Sequence, residues 1–118
     1  MIIAEFKQDA AGHILEYEIR GHAEFADPGY DIICAAVSVL AVNTANSLEV
    51  LTGIPIEVQE GEDGFLRCVP SNALQDNVQL LLQSLRLGLE SICEAYGNQF
   101  LKLQFVSAPS SLDEKEKI

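Results

Sequence analysis

The chain has 118 residues, 48% of them hydrophobic, a size and composition that fit one packed domain and argue against disorder. Its formal net charge is -11, with seven Lys and Arg against 18 Asp and Glu, which disfavours a phosphate backbone as a direct partner and favours a basic protein or peptide. The longest apolar stretch, Ile32 to Val42, falls short of a bilayer span, and Met1 to Lys7 lacks a signal-peptide pattern, so no membrane association and a cytoplasmic location are expected.

Ile2 to Gln8 reads as a strand, Asp9-Ala10-Ala11-Gly12 as a turn, and Ile14 to Arg20 as a second strand of a hairpin. In that second strand Ile14, Glu16, Glu18 and Arg20 alternate with Leu15, Tyr17 and Ile19. Gly21 to Tyr30 reads as a loop. Asp31 is the expected N-cap of a helix from Ile32 to about Thr52, with Gly53 as its stop. This helix is apolar nearly all round, as a buried helix is, except for a small-residue line of Cys34, Ser38, Ala41 and Ala45. Burial on several sides in so small a domain implies either thick coverage or a partner, and is the stronger of the sequence arguments for a homodimer.

Pro55 to Glu60 and Phe65 to Val69 form a second hairpin around Gly61-Glu62-Asp63-Gly64. Pro70-Ser71-Asn72 opens a second helix to about Tyr96, whose stripe of Leu74, Val78, Leu81, Leu85, Leu89, Ile92 and Tyr96 faces the sheet. Leu80 and Leu87 lie on its far side and could seed a subunit contact. Gln99 to Val106 is the last strand. The order strand-strand-helix-strand-strand-helix-strand predicts an α+β domain over 1–106, with two helices packed on a five-stranded mixed sheet. Residues 107–118 read as a disordered tail.

The chemistry concentrates in two residues. A thiol attacks as a thiolate, and a helix N-terminus or an imidazolium promotes that form. With Asp31 as the cap, Cys34 falls in the first helical turn, near unsatisfied N–H groups that also suit an oxyanion. His22 arrives on the preceding loop, Asp31 is placed to orient it, and Ser38 follows Cys34 by one turn. Phe25 and Tyr30 are candidates for a substrate groove beside that loop. On spacing alone the bland alternative, a cysteine packed as a small hydrophobe, is the commoner one. A redox-sensing thiol and a non-enzymatic acidic binding protein also stay open. A zinc site from His22, Cys34 and a carboxylate matches no closed structural spacing, and no cofactor is expected. Cys68 and Cys93 read as packing residues, His13 as a hairpin residue, and the odd cysteine count points to thiols rather than disulfides.

Gly21-His22-Ala23, the loop with Asp27, and Asp31 followed by Cys34-Ala35-Ala36-Val37-Ser38 resemble the signature of the bacterial ribosomal-processing cysteine proteases, the Prp family. The resemblance spans residues 1 to 106. It implies a protease that cuts a short N-terminal extension from a large-subunit ribosomal protein, the twenty-seventh. Cys34 would be the nucleophile and His22 the general acid/base, with Asp31 and Ser38 at family positions near the site. It also implies a homodimer and a basic ribosomal-protein precursor as partner.

Overall fold

The computed structural model describes residues 1–21 and 28–108, with residues 28–31 described by backbone alone. Seven elements follow the expected order: β1 (Ile2–Gln8), β2 (Ile14–Arg20), α1 (Pro28–Ser47), β3 (Ile56–Glu60), β4 (Leu66–Pro70), α2 (Asp76–Tyr96) and β5 (Leu101–Ser107). A π-helical turn, Leu48–Thr52, continues α1, and Gly53 ends it in the left-handed conformation at φ 73°. The strands form one sheet in the order β3-β4-β2-β1-β5, antiparallel throughout except for the parallel pair β1 and β5. The parallel pairing requires a crossover, and α2 supplies it. This is the α+β architecture the sequence predicts.

Alternation builds the core on one side of the sheet. Ile2, Ala4 and Phe6 of β1 and Tyr17 and Ile19 of β2 are buried. They meet Ile33, Val37, Ala41, Ala45 and Leu48 from the first helical segment and Val78, Leu82, Leu85 and Leu89 from α2. Gly88 lets the helices approach: a Cβ there would lie 3.1 Å from a Leu40 methyl. The Tyr17 hydroxyl donates to the Ala41 carbonyl at 2.7 Å, tying β2 to α1. On the outer face the strands carry charge. Glu16 accepts from Lys7 at 2.6 Å and Arg67 at 2.8 Å, and Arg20 reaches Glu18 at 2.8 Å and Glu5 at 3.2 Å.

Four expectations need correction. Helix α1 starts at Pro28, so Asp31 is its fourth residue and not its N-cap. Proline at the first helical position fits, because its missing N–H is one the helix leaves unsatisfied anyway. Helix α2 starts at Asp76, because Pro70 still pairs in β4 with Ile56 and residues 71–75 form turns. Leu74 is therefore outside the helix and exposed, Tyr96 is exposed as its last residue, and Leu82 joins the buried stripe. Ile14 is fully buried although simple alternation groups it with Glu16. A register shift between Lys7 and Gln8 skips one residue and turns Ile14 inward. The Gln79 amide closes that bulge, donating to the Ile14 carbonyl at 2.6 Å and accepting from its N–H at 3.1 Å.

The fourth correction concerns α1. The stretch Ile32–Thr52 is long and apolar enough to cross a membrane, but one face of it is core. The opposite face is exposed and still apolar, with Ile32, Val39 and Val42 open along α1 and Val50 and Leu51 on the π-helical turn. Burial within the chain accounts for one side only.

Candidate active site

Cys34 lies on the inner flank of α1 and is half-buried. As the seventh residue of the helix, its N–H belongs to the helical ladder. First-turn amides beside its own sulfur, expected with Asp31 as the cap, are therefore not what the structure provides. The side chains of Asp31 and Tyr30 and the whole of His22, Phe25 and Asp27 lie outside the described residues.

What the structure places around Cys34 is a cavity of about 100 Å³, bordered by Ile2, Gly21, Val37, Ser38, Asp63 and Gly64. Four parts of the chain converge there, with Ile2 coming from β1. Strand β2 delivers Gly21, α1 delivers Cys34 and Ser38, and the turn between β3 and β4 delivers Asp63 and Gly64. The turn closes through the Phe65 N–H on the Glu62 carbonyl at 3.2 Å, with Asp63 and Gly64 both left-handed at φ 57° and 74°. Asp-Gly is the usual pair for such a turn.

Gly21 has the sharper constraint. Its φ is 88°, and a Cβ there would stand 2.2 Å from the Met1 carbonyl oxygen. Only glycine permits this close crossing of two backbones. The consequence is positional: the residue that precedes His22 is fixed at the rim of the cavity that holds Cys34.

A second hollow, about 150 Å³, adjoins the first and shares Ile19, Ser38 and Gly64 with it. Ala41 and Val42 form its α1 side, and Glu60, Gly61, Phe65 and Leu66 its hairpin side. The small-residue line predicted along α1 thus becomes partly the floor of a groove. Cys34 and Ser38 border it, Ala41 sits beneath it, and Ala45 belongs to the core. The hairpin wall was invisible in sequence, since it depends on β4 pairing with β2 rather than on any local signal.

The other two thiols differ, and no cysteine is in a disulfide. Burial pushes the Cys68 thiol up, and it packs inside β4. Burial and then the Glu90 carboxylate push the Cys93 thiol up, and its Sγ donates to the Leu101 carbonyl at 3.4 Å. Both behave as the packing residues the sequence implies. His13 pairs through Nδ1 with Asp9 at 2.9 Å, as a hairpin residue. Among the described residues no three His, Cys, Asp or Glu side chains are grouped to hold a metal ion.

The chain is similar to known proteins over most of its length. Residues 1–101 match the model of the family described as cysteine protease Prp. The ribosomal processing cysteine protease Prp of Bacillus subtilis is 33% identical over 102 residues, covering 81% of this chain and 90% of that protein. The Staphylococcus aureus protease of the same name is 28% identical and covers 89% of this chain and 99% of its own. Among solved structures, a Streptococcus mutans protein shares the fold with a TM-score of 0.79 at 33% identity, over 92% of this chain and 96% of its own. The S. aureus protease bound to a covalently linked product peptide gives a TM-score of 0.79 at 25% identity, over 89% of this chain and 99% of its own. A thiol beside a groove, on this fold and with these relatives, makes the chain a cysteine protease belonging to the Prp family.

Proposed function

We propose that this protease removes an N-terminal extension from the precursor of a large-subunit ribosomal protein, the twenty-seventh, in the cytoplasm, with Cys34 as nucleophile and His22 as general acid/base. The observation that carries the reading is the shared cavity: Cys34 and the residue preceding His22 border the same space. The relatives named for ribosomal processing, and the S. aureus structure with a covalently linked product peptide, support the substrate class and a covalent step. A basic precursor also suits a chain of net charge -11.

In the mechanism, the Cys34 thiolate adds to the scissile carbonyl carbon and the carbonyl electrons move to oxygen. Collapse of that intermediate breaks the C–N bond as the His22 imidazolium gives its proton to the leaving amine, which leaves a thioester on Cys34. His22 then takes a proton from water, the hydroxide displaces the thiolate, and the new carboxyl product departs. Since the Cys34 N–H is bound within α1, donors for the oxyanion come from outside that amide. Asp31 stands three residues before Cys34 on the same helix, and this reading gives it the role of orienting His22. Ser38, one turn beyond, lines the groove that takes the peptide.

The exposed apolar face of α1 and its π-helical extension, carrying Ile32, Val39, Val50 and Leu51, is the contact between two copies in this reading. Val39→Asp then yields a folded monomer in sedimentation analysis, and an unchanged dimer, or a wild-type monomer, rules the contact out. For the reaction itself, the precursor is incubated with wild-type and Cys34→Ala protein and its mass measured. The reading predicts loss of the extension with wild type only. Equal cleavage by both proteins removes Cys34 as nucleophile, and an intact precursor with both rejects the substrate.

A further inference from the structure

We infer that the hollow beside Ser38 is a subsite for one lysine or arginine side chain of the substrate, and that Glu60 is the residue that selects it. The inference rests on Cys34 being the nucleophile, and it adds which side chain is read and by what.

The hollow is about 150 Å³ and adjoins the Cys34 cavity, sharing Ile19, Ser38 and Gly64 with it. Its walls are apolar where Ala41, Val42, Phe65 and Leu66 meet it, and Glu60 supplies the one carboxylate in its lining. A long aliphatic stem with a cationic head matches that pattern: the stem covers apolar wall and the head stays at the polar edge. A neutral aromatic ring would fill the same space but crowd water from the carboxylate without replacing it. An acidic side chain would meet like charge.

The charge at Glu60 is available for this role. Nearby cations of the sheet are engaged elsewhere, Lys7 and Arg67 on Glu16 and Arg20 on Glu5 and Glu18, while Lys102 stands on β5, the opposite edge strand from β3. Among the described residues no cation pairs with Glu60. Geometry also sets the offset. Ser38 and Val42 follow Cys34 by one and two helical turns, a rise of about 6 to 12 Å at ~1.5 Å per residue. An extended peptide covers that in about two to four residues at ~3.3 Å each. The basic side chain therefore stands two to four residues from the bond that is cut.

The test uses the full chain and a series of synthetic peptides copied from the precursor cleavage region. One position at a time, within four residues on either side of the scissile bond, carries Lys, Arg, Met, Phe or Glu. Values of kcat/KM are measured with wild type and with Glu60→Gln and Glu60→Lys, each first shown to unfold at the wild-type temperature. At one position, two to four residues from the cut, Lys and Arg exceed Met about fivefold with wild type, as expected of a partly exposed charge pair. That ratio falls to about one with Glu60→Gln, and Glu60→Lys reverses the order in favour of Glu. A Lys-to-Met ratio that is the same in wild type and Glu60→Gln at every position overturns the inference while leaving the protease reading standing. Phe as the best residue in both enzymes at that position does the same. Failure of wild type to cut any peptide or the precursor rejects the substrate reading, and this inference with it.

Discussion

Two half-buried cysteines border hollows in this molecule, and only one of them sits in a place built for chemistry. Cys93 faces the larger hollow, about 460 Å³, between the end of α2 and β5, with Glu90, Glu94, Lys102 and Phe105 around it. Cys34 faces a space of about 100 Å³. Size therefore ranks them in the wrong order. The Cys93 thiol is held neutral by burial and by Glu90, and it is already spent on a carbonyl. Around Cys34 the chain brings four separate segments together, one through a glycine that no other residue can replace. Convergence of distant segments on a thiol, rather than the volume beside it, marks the reactive one.

The hardest blow to this contrast is expected from Gly21→Ala. The added methyl meets the Met1 carbonyl and the residue keeps a left-handed backbone, so about 3 kcal/mol of stability is expected to go, read by urea unfolding. Cleavage by whatever remains folded should fall at least about tenfold, because the residue that precedes His22 shifts. Wild-type activity in this variant would separate Gly21 from the site altogether. Next in size is thiol reactivity. Iodoacetamide at neutral pH should modify Cys34 at least about tenfold faster than Cys93, and Cys68 last, as followed by peptide mass mapping. Equal slow rates at all three would make Cys34 a packing residue like the others.

Smaller effects sharpen the other side. Cys93→Ser should leave precursor cleavage within about twofold of wild type, since that thiol takes no part. Glu90→Gln should speed alkylation of Cys93 by about two- to threefold while leaving Cys34 unchanged, because one neighbouring negative charge is removed. The pH dependence follows the same cause. Cys68 and Cys93 hold their protons in the folded chain above the ordinary 9.0 at which an unfolded thiol releases its own. The unfolded state then binds fewer protons, so this stabilisation is complete below about pH 9 and declines as pH rises past it. Denaturant midpoints between pH 8 and 10.5 should show the decline, less steeply in Cys93→Ser.

Most of the fold was legible because its signals are local. Gly53 stops the first helical segment, the Asp63-Gly64 pair turns the second hairpin, and alternation in β1 places Ile2, Ala4 and Phe6 inside. The errors came where a local signal had a rival. Asp31 looks like a cap, but Pro28 is the better first residue of a helix, and starting at Pro28 rather than Ile32 moves Cys34 four residues further in, out of the first turn. Pro70 resembles a helix start and ends a strand instead, because the edge strand β3 pairs with it. The bulge at Ile14 breaks strict alternation and is stabilised from a distance by Gln79, which no window along the chain can reveal. The site divides the same way. Cys34 and Ser38 on one line of α1 follow from helical spacing, whereas Asp63, Gly64 and Glu60 enter only through the sheet order.

The parallel pairing of β1 with β5 has a kinetic side. Ile2 borders the Cys34 cavity, its N–H donates to the Phe100 carbonyl at 2.9 Å, and Leu101 stands opposite it in the ladder. One wall of the cavity is thus held by a strand about a hundred residues away along the chain, the last of the described ones. Closing so long a loop is slower than zipping up either hairpin. In refolding from denaturant, secondary structure should therefore return ahead of the nucleophile: rapid alkylation at Cys34 is expected to reappear with the slow, whole-chain phase, so that a half-made protease is a harmless one.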